Sequence, residues 1–190
     1  MSARRRPSTP QQASPRPPVP ERTARVAEVV AAARAVVRRH GLDGLTMQAI
    51  ATELHIKAPS LYKHLAGKRA LEVELVTDAL CEMGDVLHRA VADAVPECRS
   101  ADLLAAYRAQ AVAEPDLYRL TMRADVPRSD LPPDLERWAG EPFRLATGDA
   151  YRGQALFAFA HGMVSLEIDA RFLDSSRLDT TWAEGATAFA

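Results

Sequence analysis

The sequence has little of what several classes of protein need. Only two of its 190 residues are cysteines, Cys81 and Cys98, and they fit neither a disulfide framework nor a metal-binding spacing. Aromatic residues are sparse at 6%, β-branched runs are absent and alanine is abundant, which favours an all-helical protein. No apolar run is long enough to span a membrane, and the N-terminus lacks the apolar core of a signal peptide. We therefore expect a cytoplasmic all-α protein that does not contact a membrane.

Signatures of catalysis are missing as well. The sequence contains no Gly-rich phosphate loop, no nucleophile elbow and no set of histidines at metal-binding spacing. Its carboxylates are numerous, but the helical periodicity places them on solvated helix faces. These absences predict a protein that is not an enzyme and that has no metal or cofactor.

What the chain does have is an uneven distribution of charge. The formal net charge is -1, yet residues 1–68 carry 12 Lys or Arg against 4 Asp or Glu, whereas residues 69–190 carry 12 against 21. A basic N-terminal third on an acidic remainder suggests a nucleic-acid-binding part joined to a part with another role.

The first 20 residues differ in composition from the rest of the chain. They contain six prolines, four arginines, no acidic residue and almost no large apolar residue. Such a segment cannot bury enough surface to offset the entropy lost on ordering, so we expect residues 1–20 to be disordered. Two roles stay open for it: a basic arm that lies along DNA, or a solvated tail.

Apolar residues recur at helical spacing through the rest of the chain. Thr46 is placed to cap a second helix, and Pro59 suits the first turn of a third. Between them, His55 lies at a turn where a positive φ is often needed. The expected helices are Glu21–His40, Thr46 to about Leu54, Pro59 to about Leu65, Lys68 to about Val95, Ala101–Glu114, Pro115 to about Met122, Leu135–Ala146, Asp149–Leu173 and Thr180–Ala190.

The stretch Thr46–Lys68 combines two short helices with a tight turn, which is the pattern of a helix-turn-helix. An α-helix fits the DNA major groove and contacts bases from its N-terminal part. The alternative is an ordinary helical hairpin with a polar face. The residues with suitable chemistry are Ala58, Pro59 and Ser60, which permit close approach, Tyr62, Lys63 and His64, which can donate to phosphates or base edges, and the flanking Thr46, Gln48 and Lys68.

Short motifs lie within this hairpin and at both of its ends, at Gly44–Thr46, Ala51–Leu54, Pro59–Leu65 and Gly67–Leu71. With these motifs, the segment 26–80 resembles the TetR family of bacterial transcriptional regulators. Other helix-turn-helix families do not share the Leu-Tyr-x-His segment followed by Gly-Lys.

The resemblance implies a three-helix DNA-binding head, here residues 21–67, on a larger helical ligand-binding and dimerisation domain, here residues 68–190. Proteins of the family are homodimers that bind a palindromic operator, usually as repressors, and release it when a small molecule binds. His55 departs from the family, which commonly has Gly there. Carried over by position, the DNA-contacting residues are Thr46, Gln48, Lys57, Pro59, Ser60, Tyr62, Lys63, His64 and Lys68, of which Lys68 matches a phosphate-binding lysine.

The larger domain carries a weaker resemblance. Segments Tyr107–Met122 and Phe157–Phe172 resemble a TetR subgroup with a Trp close to a His-Gly pair; His161 and its following glycine are present, but phenylalanine replaces the Trp. His161 is expected either to bond an effector or to be a core histidine bonded to a carbonyl. The candidate ligand contacts are Met83, Leu87, Tyr107, Met122, Phe157, His161 and Met163, and for each the alternative is a plain core residue.

The segment Asp149–Leu173 is apolar on nearly every side. A helix of this kind must be buried on every side, and a chain of this size has too little interior to do so. We therefore expect this segment and the last helix to pack against a second copy of the chain.

These observations predict a dimeric TetR-like repressor whose effector tilts the fourth helix and so changes the separation of the two DNA-contacting helices. Contacts from Lys63, Lys68 and the arginines should make DNA binding strongly salt-dependent. Three alternatives remain open: a TetR-like activator, a DNA binder without an effector, and a helical carrier or enzyme whose hairpin is only scaffold.

Overall fold

Eight α-helices account for most of the residues that the structure, a computed structural model, describes: 13–123, 125–173 and 175–190. No strand occurs in these ranges. A 3-10 helix, Ala58–Lys63, lies between the second and third α-helices, and two further 3-10 turns lie at Pro96–Cys98 and Arg128–Asp130. The α-helices are α1 (Ala24–His40), α2 (Met47–Glu53), α3 (Lys68–Asp93), α4 (Arg99–Ala113), α5 (Pro115–Thr121), α6 (Leu135–Thr147), α7 (Ala150–Ile168) and α8 (Leu178–Ala188).

The N-terminal part, called the head here, consists of α1, α2 and the 3-10 helix, packed on the first turns of α3. Thr23 and Thr46 cap α1 and α2, because their side-chain oxygens accept hydrogen bonds from the backbone N–H groups of Val26 (3.3 Å) and Ala49 (3.1 Å). The cap at Thr46 is the one that the sequence predicts. The buried residues that these elements share include Val29, Ala33, Val36, Leu45, Ile50, Leu61 and Leu71.

The turn after α2 has Schellman geometry. The N–H of Ile56 donates to the carbonyl of Ala51 at 2.9 Å, and that of His55 donates to the carbonyl of Thr52 at 3.1 Å. His55 accordingly has a φ of 54°, the positive value expected at this turn. Ile56 packs against the core of the head, and this contact helps to hold a conformation that is costly for a residue other than glycine.

The helix after the turn is shorter and tighter than the sequence predicts. It is a 3-10 helix over Ala58–Lys63 rather than an α-helix that reaches Leu65, because Ser60 and His64 donate to carbonyls three residues before them, at 2.9 Å each. Gly67, with a φ of 123°, then leads the chain into α3 through a conformation that glycine adopts without strain.

Helix α3 belongs to both parts of the molecule. Leu71 and Leu75 are buried in the core of the head, whereas Leu87 is buried among α4–α8, which form the part called the body here. Between these points Gly84 lies against the ring of Trp138 on α6, and an added Cβ would come within 2.3 Å of that ring. The head is therefore joined to the body by a continuous helix that packs closely on α6.

Helix α7 ends earlier than predicted. It runs over Ala150–Ile168 instead of reaching Leu173, because Ala170 adopts a left-handed φ of 50° and Arg171 donates to the carbonyl of Leu166 at 2.8 Å. Within the described ranges, none of the helices combines the length and the apolar character needed to cross a bilayer.

Residues 13–20 also differ from the prediction of a disordered segment. They run in an extended path along α3 and α6, and Ser14 donates from its N–H (2.8 Å) and its hydroxyl (3.0 Å) to the Glu141 carboxylate. Arg16 pairs with Asp85 at 2.7 Å, and Val19 packs beside Trp138. Polar and cation–π contacts to the body thus stabilise a segment whose own composition buries little apolar surface. The prediction for residues 1–12 lies outside the described residues.

Candidate nucleic-acid interface and body cavity

The outward side of the 3-10 helix presents the side chains that sequence analysis selects for DNA. Leu61 is fully buried and anchors the helix to the core of the head. Tyr62 is exposed by 57%, a large value for an aromatic residue. The other predicted residues of this helix and its flanks that are exposed are Lys57, Pro59, Lys63 and His64, whereas Ser60 is half-buried. We call Lys57, Pro59, Tyr62, Lys63 and His64 the front face of the head.

The cations of the front face are not used inside the molecule. Among the described residues, Lys57 and Lys63 form no salt bridge. Lys68, at the start of α3, approaches Glu72 at 3.8 Å and keeps 47% of its side chain exposed. Gln48 is exposed on the first turn of α2, beside the cap formed by Thr46. The structure therefore brings the predicted DNA-contacting residues to one region of the head.

The arginines of the head behave differently. Arg34 on α1 binds Glu82 of α3 (2.5 Å) and Glu114, which lies between α4 and α5 (2.8 Å), and Arg38 binds the same Glu114 at 2.8 Å. These bonds, that to Glu82 foremost, raise the pKa of the Arg34 guanidinium above its usual range. We call this set of four residues the seam between head and body. Acidic residues thus pair with Arg34 and Arg38, and phosphate contact by these two arginines stays a prediction.

Arg22 is held in the same way, just before α1. Its guanidinium binds Glu74 at 2.5 Å and Asp78 at 2.8 Å, both on α3. The opposite charges of the two parts of the chain are thus used in part to bind the parts to each other. The contrast in sequence charge therefore reflects, in part, this internal pairing.

The body contains a cavity of about 690 Å³, a size typical of sites for small molecules. It lies among α3, α4, α5, α6 and α7, and Arg34 and Glu114 of the seam are part of its wall. Of the predicted ligand contacts, five line it: Met83, Leu87, Tyr107, Met122 and Phe157.

The other two predicted ligand contacts do not line the cavity. Met163 is buried in the core of the body. His161 lies behind the wall, where its Nδ1 is 2.5 Å from the hydroxyl of Tyr118, and that hydroxyl is 2.9 Å from the hydroxyl of Tyr107. Burial raises the pKa values of both tyrosines, which therefore stay neutral. His161 thus bonds a hydroxyl of the cavity wall, not a backbone carbonyl.

Sequence analysis missed the polar residues of the cavity wall. Gln110 of α4 lies three residues after Tyr107, and Gln154 of α7 lies three residues before Phe157. This spacing puts each glutamine one helical turn from a predicted ligand contact and on the same face, which is the signal that would have found it. Phe143 of α6 completes the aromatic part of the wall, with its ring 5.5 Å from that of Tyr107.

Comparison with known proteins agrees with this geometry. A family model described as "Bacterial regulatory proteins, tetR family" matches residues 29–75, which include the whole helix-turn-helix. The HTH-type transcriptional regulator Rv1816 of Mycobacterium tuberculosis is 32% identical over 122 residues, which are 63% of this chain and 51% of that protein. An uncharacterized HTH-type regulator of Bacillus subtilis, YobS, is 26% identical over 94 residues, 50% of this chain and 49% of that protein. The chain thus spans about half the length of the curated relatives it matches.

Solved structures share the fold across both parts of the molecule. A protein of unknown function from Rhodococcus sp. RHA1 superimposes with a TM-score of 0.73 at 20% identity, over 88% of this chain and 94% of that one. A TetR variant from Acinetobacter baumannii in complex with minocycline superimposes with a TM-score of 0.57 at 21% identity, over 85% and 91% of the two chains.

Fold and site define a class: helical proteins in which a helix-turn-helix head is joined to a cavity-bearing body. Within that class, the chain is similar to the TetR family of bacterial regulatory proteins, whose model matches its residues 29–75. The predictions of the family and of an all-α fold are confirmed. Members of this family are transcriptional regulators and not enzymes, so the prediction that the chain is not an enzyme is confirmed as well.

Proposed function

We propose that this protein is a transcriptional repressor that binds a palindromic operator as a homodimer and is released by a small-molecule effector. The observation that carries the proposal is the front face of the head, where Tyr62, Lys63 and His64 project from a helix whose opposite side is anchored by Leu61. A helix presented in this way can enter a major groove, and unpaired lysines beside it suit phosphates.

An uncovered face of α7 supports the homodimer. Tyr151, Ala155, Ala158 and Leu166 are exposed at helical spacing, and Tyr151 is exposed by 81%. Gly162 lies in the same stripe, and an added Cβ there meets no atom within 4 Å. This face has the apolar character and the small residues that let a second helix approach closely. It belongs to the segment Asp149–Leu173, which sequence analysis expects to pack, with the last helix, against a second copy.

The path from cavity to head runs through the seam. Arg34 and Glu114 both line the cavity and both bind across the head–body contact. A molecule in the cavity that shifts α3 or Glu114 would therefore also shift α1, which carries the rest of the head. The effector need only bind one arrangement of the seam better than the other to change the population that fits DNA.

A gel shift on the gene's own upstream region tests the proposal. We expect Tyr62→Ala and Lys68→Ala to abolish binding while the dimer stays intact in sedimentation, because both side chains are exposed and contribute little to the core. Unchanged affinity of both variants would show that the interface is elsewhere. Repeating the assay with a panel of small molecules tests release by an effector.

A TetR-like activator is the second candidate, since the same contacts serve activation or repression depending on where the operator lies. A footprint relative to the promoter distinguishes them: protection that overlaps the polymerase site supports repression, and protection upstream of it supports activation.

A further inference from the structure

The charges in the wall of the body cavity are all paired within the molecule. Four arginines and four glutamates line the cavity, so their formal charges cancel. The tightest group is at the seam, where Arg34 binds both Glu82 and Glu114. On α6, Arg144 binds Glu141 at 2.8 Å, and Arg128 binds Glu136 at 2.7 Å.

The remaining arginine of the wall, Arg137, binds Asp134 at 3.0 Å. Two of the carboxylates are well removed from solvent, since the side chains of Glu141 and Glu114 are only 10% and 15% exposed, whereas those of Arg137 and Asp134 are 66% and 62% exposed. A charged ligand would have to break one of these pairs or remain without a counter-charge in a mainly apolar site. Either course costs free energy, because an ion that leaves water needs a partner.

Two neutral polar side chains of the wall remain available. Within the part of the chain that the structure describes, the side-chain amides of Gln110 and Gln154 form no hydrogen bond. By contrast, the hydroxyls of Tyr107, Tyr118 and Thr121 already have partners. A primary amide both donates and accepts, so it suits a carbonyl or hydroxyl oxygen.

We propose that the cavity binds an uncharged, largely apolar molecule that carries one or two hydrogen-bonding oxygens, which the amides of Gln110 and Gln154 bind. This inference rests on the proposed function, in which the cavity is the effector site, and names the chemistry of the effector. Its apolar surface is supplied by Met83, Leu87, Leu117, Met122, Phe143 and Phe157.

Charge selectivity is tested with two fluorescent probes that share one ring system. N-phenyl-1-naphthylamine is neutral, and 8-anilino-1-naphthalenesulfonate adds a sulfonate to the same rings. We expect the full chain to bind the neutral probe at least about 10-fold more tightly, and to bind the cation ethidium no better than the sulfonate. The proposal would be overturned if either ion bound as tightly as the neutral probe, or more tightly.

The location is tested by filling the cavity. Gly140 of α6 lies in its wall, and an added Cβ there meets no atom within 4 Å, so the side chain of Gly140→Phe starts in open space at the cavity. Ala105→Phe, at an exposed position of α4 outside the cavity, is the matched control. The neutral probe should bind about 5-fold or more weakly to Gly140→Phe and unchanged to Ala105→Phe. If the two variants lost affinity for the probe equally, or if neither lost affinity, the probe would bind outside the cavity.

The role of the amides is tested with a neutral probe that has a ketone, 6-propionyl-2-dimethylaminonaphthalene. Gln110→Leu and Gln154→Leu should each lower the affinity for this probe by about 5-fold. The affinity for N-phenyl-1-naphthylamine, which has no oxygen, should be unchanged. Loss of both probes, or of neither, would contradict the assignment. Circular dichroism confirms that each variant is folded.

Gel shifts of the same variants separate the two proposals. Ala105→Phe, which lies outside the cavity, should bind the upstream DNA as the unmodified chain does. A chain that selects the neutral probe but does not bind DNA would contradict the proposed function and leave the ligand chemistry standing. A chain that binds DNA but prefers the sulfonate would contradict the proposed ligand chemistry and leave the proposed function standing.

Discussion

The front and the back of the head use the same kind of residue in opposite ways. On the front face, Lys57 and Lys63 project into solvent without an ion pair among the described residues. On the back, Arg34 and Arg38 are bound by Glu82 and Glu114 of the body. Positive charge is therefore exposed on one side and paired with acidic side chains on the other, and the position of the acidic partners makes the difference.

The largest expected effect is on operator binding, and it should differ between the front and the back of the head. Lys63→Gln and Arg38→Gln each remove one positive charge from an exposed side chain of the head. Lys63→Gln should weaken operator binding about 10-fold or more and lower the slope of log affinity against log salt, by about 0.9 for each phosphate that the protein no longer neutralises. Arg38→Gln should leave the affinity and the slope unchanged. If the affinity fell by a similar factor in the two variants, the front and the back of the head would not differ in their contribution to DNA binding.

The close contact between α3 and α6 is expected to be the most sensitive point of the assembly. Gly84→Ala should lower the free energy of unfolding by about 2 kcal/mol, because its Cβ would overlap the Trp138 ring. Urea denaturation measures this. Gly140→Ala on α6, where an added Cβ has open space, should be neutral or stabilising and serves as the control.

The seam should contribute less, because water reaches part of it. Arg34→Met keeps the aliphatic length and removes the guanidinium, which leaves Glu82 and Glu114 without this partner. Their side chains are 39% and 15% exposed, so screening reduces the loss, and we expect about 1–2 kcal/mol in the same denaturation assay. Arg25→Met, which breaks only a local pair with Glu28, should change stability by less than about 0.5 kcal/mol.

The turn behind the front face offers a gain instead of a loss. His55 has a φ of 54°, which glycine adopts more readily. His55→Gly should therefore stabilise the chain by about 0.5–1 kcal/mol, offset in part by the greater freedom of glycine in the unfolded state. His55→Val should have the opposite effect, and equal melting temperatures of the two variants would show that the turn carries no strain.

The smallest expected effect is on the stability of the fold at acid pH, through the contact between the N-terminal segment and Glu141. Burial of Glu141 opposes ionisation, but hydrogen bonds from Ser14 and the charge of Arg144 hold its pKa below the ordinary value of 4.5. A lowered pKa in the folded state stabilises the fold above the unfolded pKa, and this contribution is lost as the pH falls through the folded value. Urea midpoints measured from neutral pH to about pH 3.5 should fall less steeply for Glu141→Gln than for the unmodified chain. Glu97→Gln, at an exposed carboxylate, should keep the original slope.

Local rules accounted for the head almost completely. Thr46 as a cap and His55 at positive φ follow from residue type and spacing over a few positions. Those rules misjudged the length and type of the helix after the turn, which is a 3-10 helix that ends at Lys63. They also missed that residues 13–20 lie on the body, because those contacts involve partners more than 60 residues away in sequence.

The cavity shows the same division. Of the seven residues that sequence analysis named, Met83, Leu87, Tyr107, Met122 and Phe157 line the cavity, and His161 and Met163 do not. Gln110 and Gln154 were missed because an amide on a helix face looks the same in sequence whether it faces solvent or a cavity.

The sequence by itself determined that this is an all-helical protein with a helix-turn-helix head, because caps, turns and apolar periodicity act over one or two helical turns. The TetR family entered through the resemblance of its motifs. Tertiary structure alone decided which cations stay free and which bind the body, and that every charge in the cavity wall has a partner. Those outcomes depend on distances between side chains far apart in the chain, and electrostatic interactions depend on such distances and on burial rather than on composition.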